Sequence, residues 1–284
     1  MTFIRLNYLS DNGLCHGGNR LTTNKRNFNP DFPIVTVITA VFNGRNNIEE
    51  TILSIINQNY TNIEYIIIDG GSTDGTLDII RKYDSKIDYW VSGKDSGISD
   101  AFNKGIILSS GDYINFQGDG DGFLNENSIK ELFTNVGQSN NVIIAARIAR
   151  VDINGKVLYV TKKHKSFNKE SLLFKMSLPH QSLFMSINFF YNHGLFNPVI
   201  KYSMDYDLLL RAYKNFPKVS LSNIIVAKWR KDGLGNKKEF EIYQEYNKIK
   251  VYNKISNPPT LFLINKYIIF KYHLKNILKI SGRN

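Results

Sequence analysis

Ile34-Val35-Thr36-Val37-Ile38-Thr39-Ala40-Val41 is a β-branched run that is apolar on both faces, the pattern of a strand buried in the middle of a parallel sheet. A turn at Asn43-Gly44 follows. Ile48, Thr51, Ile52, Ile55 and Ile56 then recur at three-and-four spacing, so one face of a helix packs on that sheet. A second buried strand, Ile63 to Asp69, runs into Gly70-Gly71-Ser72-Thr73-Asp74-Gly75 and a helical stretch over 76–83. The alternation continues with a short strand near 89–91, a helix over 98–109 and a strand over 113–116. Such alternation implies an α/β fold with a parallel, doubly wound sheet flanked by helices. Ligands of these sheets bind where loops converge at the carboxyl ends of the strands. Here those loops are 39–43, 69–75, 95–100 and 118–122, each polar or glycine-rich.

The second half is mixed. Strands are expected at 142–146, 157–160 and 219–227, a short helix at 169–175, and a helix over 204–214 with Leu208, Leu209 and Ala212 inward. Beyond them, 237–255 reads as helix, Pro258-Pro259 as a break, and 261–280 as a last helix. The expected organisation is an arm over 1–33, an α/β domain over 34–230 and a basic helical C-terminal appendage over 231–284.

A chain of 284 residues, 42% hydrophobic and 13% aromatic, can bury a core, which excludes a disordered protein. Its net charge of +11 is concentrated: from Lys228 onward there are thirteen Lys and Arg against four Asp and Glu, leaving the body nearly neutral. That argues against nucleic acid spread over the fold and for one basic appendage. No run of eighteen uncharged apolar residues occurs, and Met1 to Ser10 lacks the order of a secretory signal. The single cysteine, Cys15, can form neither an internal disulfide nor a zinc site. The expected location is therefore the cytoplasm.

Transfer of a sugar from a nucleotide donor needs a base-and-ribose pocket, cations for the diphosphate, and a carboxylate to take the acceptor's proton. Asp69 can accept from an imide or a ribose hydroxyl, and the glycines after it allow close backbone approach; an Asp and a Ser there also suit a helix cap. The stretch Val37-Ile38-Thr39-Ala40-Val41-Phe42-Asn43-Gly44, followed by Ile66-Ile67-Ile68-Asp69-Gly70-Gly71-Ser72-Thr73-Asp74-Gly75-Thr76, closely resembles the family 2 glycosyltransferases of the GT-A fold, inverting bacterial enzymes that build polysaccharides. A third block, Asp95-Ser96-Gly97-Ile98-Ser99-Asp100-Ala101-Phe102-Asn103-Lys104-Gly105, resembles that family's Gly-Ile-Tyr-Asp-Ala-Met-Asn-Lys-Gly motif, with Ser99 in the tyrosine position. The resemblance covers 34–230. It implies a nucleotide-sugar half over 34–123 and an acceptor half over 124–230. It implies that Thr39, Val41, Asn43, Asp69 and Ser72 line the nucleotide, and that Asp100, Asn103 and Lys104 approach the phosphates or the donor sugar. A solvated helix residue is the other reading of Lys104.

At Phe116-Gln117-Gly118-Asp119-Gly120-Asp121-Gly122-Phe123 the chain departs from the family's Phe-Leu-Asn-Ser-Asp-Asp. Alternate carboxylates on an extended turn can meet one Mn²⁺ or Mg²⁺ on a diphosphate. Whether Asp119 or Asp121 is the main ligand stays open. By resemblance, Asp205 in Met204-Asp205-Tyr206-Asp207-Leu208-Leu209-Leu210-Arg211 is the catalytic base, with Met204 where relatives carry Glu. Asp207 and Arg211 belong to the same acceptor or diphosphate side, or else pair with each other four residues apart. Pro179-His180-Gln181 resembles a block that places His180 and Gln181 near acceptor or diphosphate, and 229–235 suits a loop over the donor phosphates or a plain turn. The implied reaction moves a hexose or N-acetylhexosamine from a nucleotide sugar, UDP-linked, to a lipid-linked or growing glycan.

In the last helix Lys271, Lys275 and Lys279 recur every four residues beside Phe262, Ile264, Ile268, Ile269, Leu274, Ile277 and Leu278. That suits an anionic membrane surface, or packing on the domain or in a dimer. Two enzyme classes fit poorly. A nucleotidyltransferase needs a longer basic phosphate loop after the first strand, and a dehydrogenase needs Gly-x-Gly-x-x-Gly there. A nucleotide-sugar binder without catalysis remains compatible with the altered metal turn.

Overall fold

Two strands with no wet face set the middle of the sheet. Every residue of β2 (Val35–Val41) and β3 (Ile63–Asp69) is buried, as doubly apolar runs require. The computed structural model describes residues 14–22, 27–137, 142–231 and 238–281. β2 pairs in parallel with β3 and with β5 (Tyr113–Gly118), and β3 pairs in parallel with β4 (Tyr89–Ser92). The crossovers are α1 (Ile48–Ile56), α2 (Thr76–Lys82) and α3 (Ile98–Leu108). A Cβ on Gly105 of α3 would stand 2.3 Å from Ile38 Cγ2, so glycine is what lets this helix lie directly on β2.

The second half adds β6 (Gly122–Phe123), α4 (Ser128–Val136), β7 (Ile143–Val151), β8 (Val157–Val160), β9 (Leu183–Ser186), α5 (Ile187–His193), α6 (Met204–Arg211) and β10 (Val219–Arg230). With β1 (Cys15–Gly17) they complete a ten-stranded sheet of order β1-β4-β3-β2-β5-β9-β7-β10-β6, β8 pairing with β7. β9 is antiparallel to both β5 and β7, while β7 and β10 are parallel. β4, β3, β2, β5, β7 and β10 therefore run one way, and the expected mostly parallel sheet is borne out, with β9 as an antiparallel joint. Alternate residues serve two cores. Ile66 and Ile68 share one core with Phe102, Phe116 and Leu208, and Ile67 shares the other with Ile48, Ile52 and Phe133.

Part of the expected arm belongs to the sheet. Cys15–Gly17 pairs antiparallel with β4, and Arg20 donates to Glu64, whose carboxylate is almost wholly buried. Glu64 also accepts from Thr36 Oγ1 at 2.6 Å and Ser110 N at 2.7 Å, so Arg20 supplies the cation this buried carboxylate needs. Residues 1–13 and 23–26 of the expected arm lie outside the described residues.

The appendage packs on the second half of the body through α7 (Glu239–Tyr252) and α8 (Pro258–Ser281). Pro258 opens α8 instead of breaking the chain, since a first-turn proline forfeits no helical hydrogen bond. Lys250 of α7 has no exposed surface and donates to Leu173 O at 3.0 Å and Asn265 Oδ1 at 2.8 Å, joining α7, α8 and the body. Burial pushes its pKa down to about 8. An unfolded lysine titrates near ~10.4, so between these values the unfolded chain holds the extra proton and stability rises with pH. We expect the denaturation midpoint to climb between about pH 8 and 10, with that slope absent in Lys250→Met. Identical profiles for the two proteins would contradict this.

Candidate functional site

Parallel register fixes what meets at the carboxyl edge: Val41 stands beside Asp69, Asp69 beside Ser92, and Ala40 beside Gly118. Asp69 is buried. Its Oδ1 accepts from Ser72 Oγ at 2.5 Å, and its Oδ2 accepts from Ser92 Oγ at 2.5 Å and Ser72 N at 3.1 Å. Asn43 adopts a left-handed φ of 53°, which lets its N–H reach Ser72 Oγ at 2.7 Å while its Oδ1 accepts from Thr73 N at 3.0 Å. Gly44 N donates to Thr76 Oγ1 at 2.9 Å. The loops after β2 and β3 thus brace each other across the edge. Thr39 and Val41 turn their side chains into the core; Thr39 Oγ1 accepts from Tyr65 Oη at 3.2 Å, and Val41 O accepts from Gly70 N at 2.9 Å.

At the start of α3, Asp100 pairs with Lys104 at 3.2 Å and accepts from Ser96 N at 3.0 Å, while Lys104 Nζ reaches Lys94 O at 3.4 Å. Asn103 has a different use. Its amide donates to Phe196 O and accepts from Phe196 N, both at 2.8 Å, so both ends clamp a second-half loop.

In the Gly-Asp turn after β5 the two carboxylates have different partners. Gly120 takes φ 85°, its N–H donates to Thr51 Oγ1 at 2.9 Å, and that hydroxyl donates to Asp121 O at 2.7 Å. Asp121 Oδ2 accepts from Gln181 Nε2 at 2.9 Å and Oδ1 from Arg230 N at 3.1 Å. Burial pushes the Asp121 carboxyl up to about 7, against the pull of those two donors, and the nearby Asp119 charge adds to the rise. Asn47 Nδ2 stands 3.5 Å from Asp119 Oδ2. A Cβ on Gly44 would come within 2.6 Å of the same oxygen. Among the described residues no group of three or more His, Cys, Asp or Glu is arranged to hold a metal. Two carboxylates nevertheless fit Mg²⁺ or Mn²⁺, which take one or two protein carboxylates and fill the remaining positions with diphosphate oxygens and water.

Across the edge, the His180 ring stacks on Phe116 with centroids 5.3 Å apart and planes at 21°, and also meets Phe102 and Phe196. Among the described residues neither ring nitrogen has a hydrogen-bond partner, and Nδ1 stands 3.8 Å from Asp205 Oδ2. Burial holds the imidazole below its usual pKa, with Asp205 opposing, so His180 is neutral at neutral pH. Asp205, in the first turn of α6, accepts from Tyr206 N at 2.8 Å; burial raises its pKa and His180 opposes the rise. Ser99 and Met204, two of the departures from the family pattern, touch each other, with Ser99 Oγ 2.9 Å from Met204 Sδ.

Asp207 and Arg211 do not join this group. Asp207 is buried, pairs with Arg211 Nε at 3.2 Å and accepts from Asn253 Nδ2 at 2.9 Å, while Arg211 also donates to His193 O and to Leu195 O at 2.6 Å. The alternative reading of an i,i+4 pair is the one the geometry supports. Sequence reasoning missed Ser92 and Asn47, the latter accepting from Arg230 Nη1 at 2.7 Å, because their partners are remote in the chain. Of the expected 229–235 loop, Trp229 and Arg230 end β10 and 232–235 lie outside the described residues.

Residues 36–199 match the family model described as Glycosyl transferase family 2. An uncharacterized glycosyltransferase of Rickettsia typhi is 33% identical over 184 residues, 62% of this chain and 57% of that one, so this chain spans less than two thirds of that relative. Among solved structures, Staphylococcus aureus TarS 1–349 in complex with UDP-GlcNAc superposes with a TM-score of 0.65 at 17% identity, covering 83% of this chain and 71% of that one. The mannosyltransferase PcManGT of Pyrobaculum calidifontis, in complex with GDP-Man and Mn²⁺, gives 0.62 at 14% identity, covering 87% and 73%. The GT-A fold expected from the sequence is borne out.

The two α6 carboxylates should separate in stability. Arg211→Met leaves Asp207 buried without its cation and should cost about 3 kcal/mol in denaturant unfolding, whereas Asp205→Asn should cost less than about 1 kcal/mol. Equal losses would contradict the division between them.

Proposed function

Because the chain belongs to glycosyl transferase family 2, we propose that it is an inverting glycosyltransferase of bacterial surface polysaccharide synthesis. It moves a hexose or N-acetylhexosamine from a UDP-sugar to a hydroxyl of a lipid-linked or growing glycan. The observation that carries this reading is the meeting of two halves at one edge: Gln181 reaches Asp121 at 2.9 Å while its neighbour His180 faces Asp205 at 3.8 Å. A diphosphate-side turn and a candidate base are thereby held together. UDP-GlcNAc in the TarS complex and Mn²⁺ in the mannosyltransferase complex support the donor and cation classes.

In this reading the Asn43–Ser72–Asp69 braced loops receive the nucleoside, and Asp100 and Lys104 stand beside the donor phosphates. Asp119 and Asp121 would hold the divalent cation, which when bound offsets charge on the departing diphosphate. Asp205 takes the proton of the acceptor hydroxyl. The oxygen attacks the anomeric carbon from the face opposite the nucleotide, the bond to the diphosphate oxygen breaks with its electron pair leaving on UDP, and configuration inverts. Burial serves this step: a carboxylate with a raised pKa is a stronger base once ionised. The acceptor's lipid would lie in the inner face of the cytoplasmic membrane, contacted peripherally by the basic C-terminal helix.

Asp205→Asn should lower transfer by about a hundredfold or more while UDP still raises the melting temperature; undiminished transfer would remove Asp205 from the base role. Mn²⁺ should raise the melting temperature of the UDP-bound protein. That gain should shrink as pH falls below the Asp121 pKa of about 7, because the proton competes for the same oxygens. Asp121→Ala should lose the gain, and a pH-independent gain surviving in Asp121→Ala would refute the cation assignment.

A further inference from the structure

α8 has two apolar faces, and among the described residues the body covers mainly one. Leu261 and Ile268 are buried, Asn265 holds Lys250, Tyr272 packs against the rings of Phe240 and Tyr243, and Lys275 pairs with Glu239 at 2.6 Å. At about 100° per residue these positions share one side of the helix. Roughly opposite stand Leu263, Tyr267, Phe270, Leu274 and Ile277, spaced four, three, four and three, each between 43% and 66% exposed, with only Tyr267, at the border, touching a described ring of the body, Phe174, edge-on. Such a run of large apolar side chains in water is a stripe, not scatter. Lys266 and Lys271 flank it on either side, their ammonium groups 4.7 Å over the Phe262 ring and 5.4 Å over the Tyr267 ring.

The charge pattern selects the occupant. Residues 258–281 contain four lysines and no Asp or Glu. A second copy laid stripe to stripe would set the flanking Lys266 and Lys271 of each helix against those of the other, with no carboxylate on the helix to offset them. An anionic bilayer offers apolar chains to the stripe and negative headgroups to lysines that flank it and can extend outward. No described helix is long and apolar enough to cross a membrane, so the fitting orientation is in the interface plane. The covered face, anchored through buried Lys250 and Asn265, would turn membrane docking into orientation of the body.

We propose that the Leu263–Ile277 stripe with Lys266 and Lys271 is a membrane-docking face that lies in the surface of an anionic bilayer, deepening the reading of a membrane-presented acceptor on which it rests. The full chain should float with vesicles of phosphatidylglycerol and phosphatidylcholine and bind pure phosphatidylcholine vesicles at least about tenfold less. Leu263→Asp with Phe270→Asp, and separately Lys266→Glu with Lys271→Glu, should each cut anionic-vesicle binding about tenfold or more. UDP-induced thermal stabilisation should be unchanged in both variants, which also shows that they are folded. Vesicle binding unaffected by either variant, or a wild-type dimer that both variants dissociate without vesicle binding, overturns the docking face while leaving the transferase reading intact. Absence of UDP binding together with normal flotation overturns the transferase reading and keeps the docking face.

Discussion

The parallel register of β5, β2, β3 and β4 is the constraint on which the rest of the site depends. It ends these strands together, with Gly118, Val41, Asp69 and Ser92 along one edge. Their loops then have little choice but to converge. A one-residue slip of β3 would turn Asp69 into the apolar core and an isoleucine toward Ser92. The strands hold this register because each is buried on both sides, so any slip would misplace a whole face of isoleucine and valine. The loop braces, from Asp69 through Ser72 to Asn43, are hydrogen bonds that only that register permits.

The second half completes the edge by backbone as much as by side chain. β9 lies antiparallel between β5 and β7, and the turn before it presents His180 and Gln181 to opposite neighbours. Asn115 and Gln117, polar and wholly buried, fix that turn by donating to Gln181 O at 3.1 and 3.0 Å. Gln181 is therefore held from behind while its amide reaches Asp121. The surroundings of the carboxylates then divide them: Asp207 keeps a cation and is structural, Asp69 is held by hydroxyls and a backbone N–H, and Asp121, buried, and Asp205, half-buried, have weaker compensation.

What was legible in the sequence follows the range of the interactions. β2 and β3 were readable because a β-branched run carries its own burial signal, and the glycine-rich turns after them announce a close backbone approach. The pairing of Asp207 with Arg211 was readable as a local four-residue spacing. Asn103 was not, since its partner is the backbone of Phe196, 93 residues away. The same holds for β1, three residues whose place depends on the free edge of β4 and on the need of Glu64 for Arg20. Met204 and Ser99 looked like separate departures in one dimension and are one contact in three.

The C-terminal helices extend this logic outward, because Asn253 ties α7 to Asp207 and Lys250 ties α7 to α8. A body so connected presents its carboxyl edge in a fixed relation to the outer face of α8. The chemistry proposed at that edge requires it to take a nucleoside diphosphate. The most direct measurement is calorimetric titration of UDP into the full chain with and without Mn²⁺. The account predicts saturable binding that strengthens with the cation and is lost in Asp69→Ala. Absence of binding by UDP and by other nucleoside diphosphates in the presence of Mn²⁺ would contradict it.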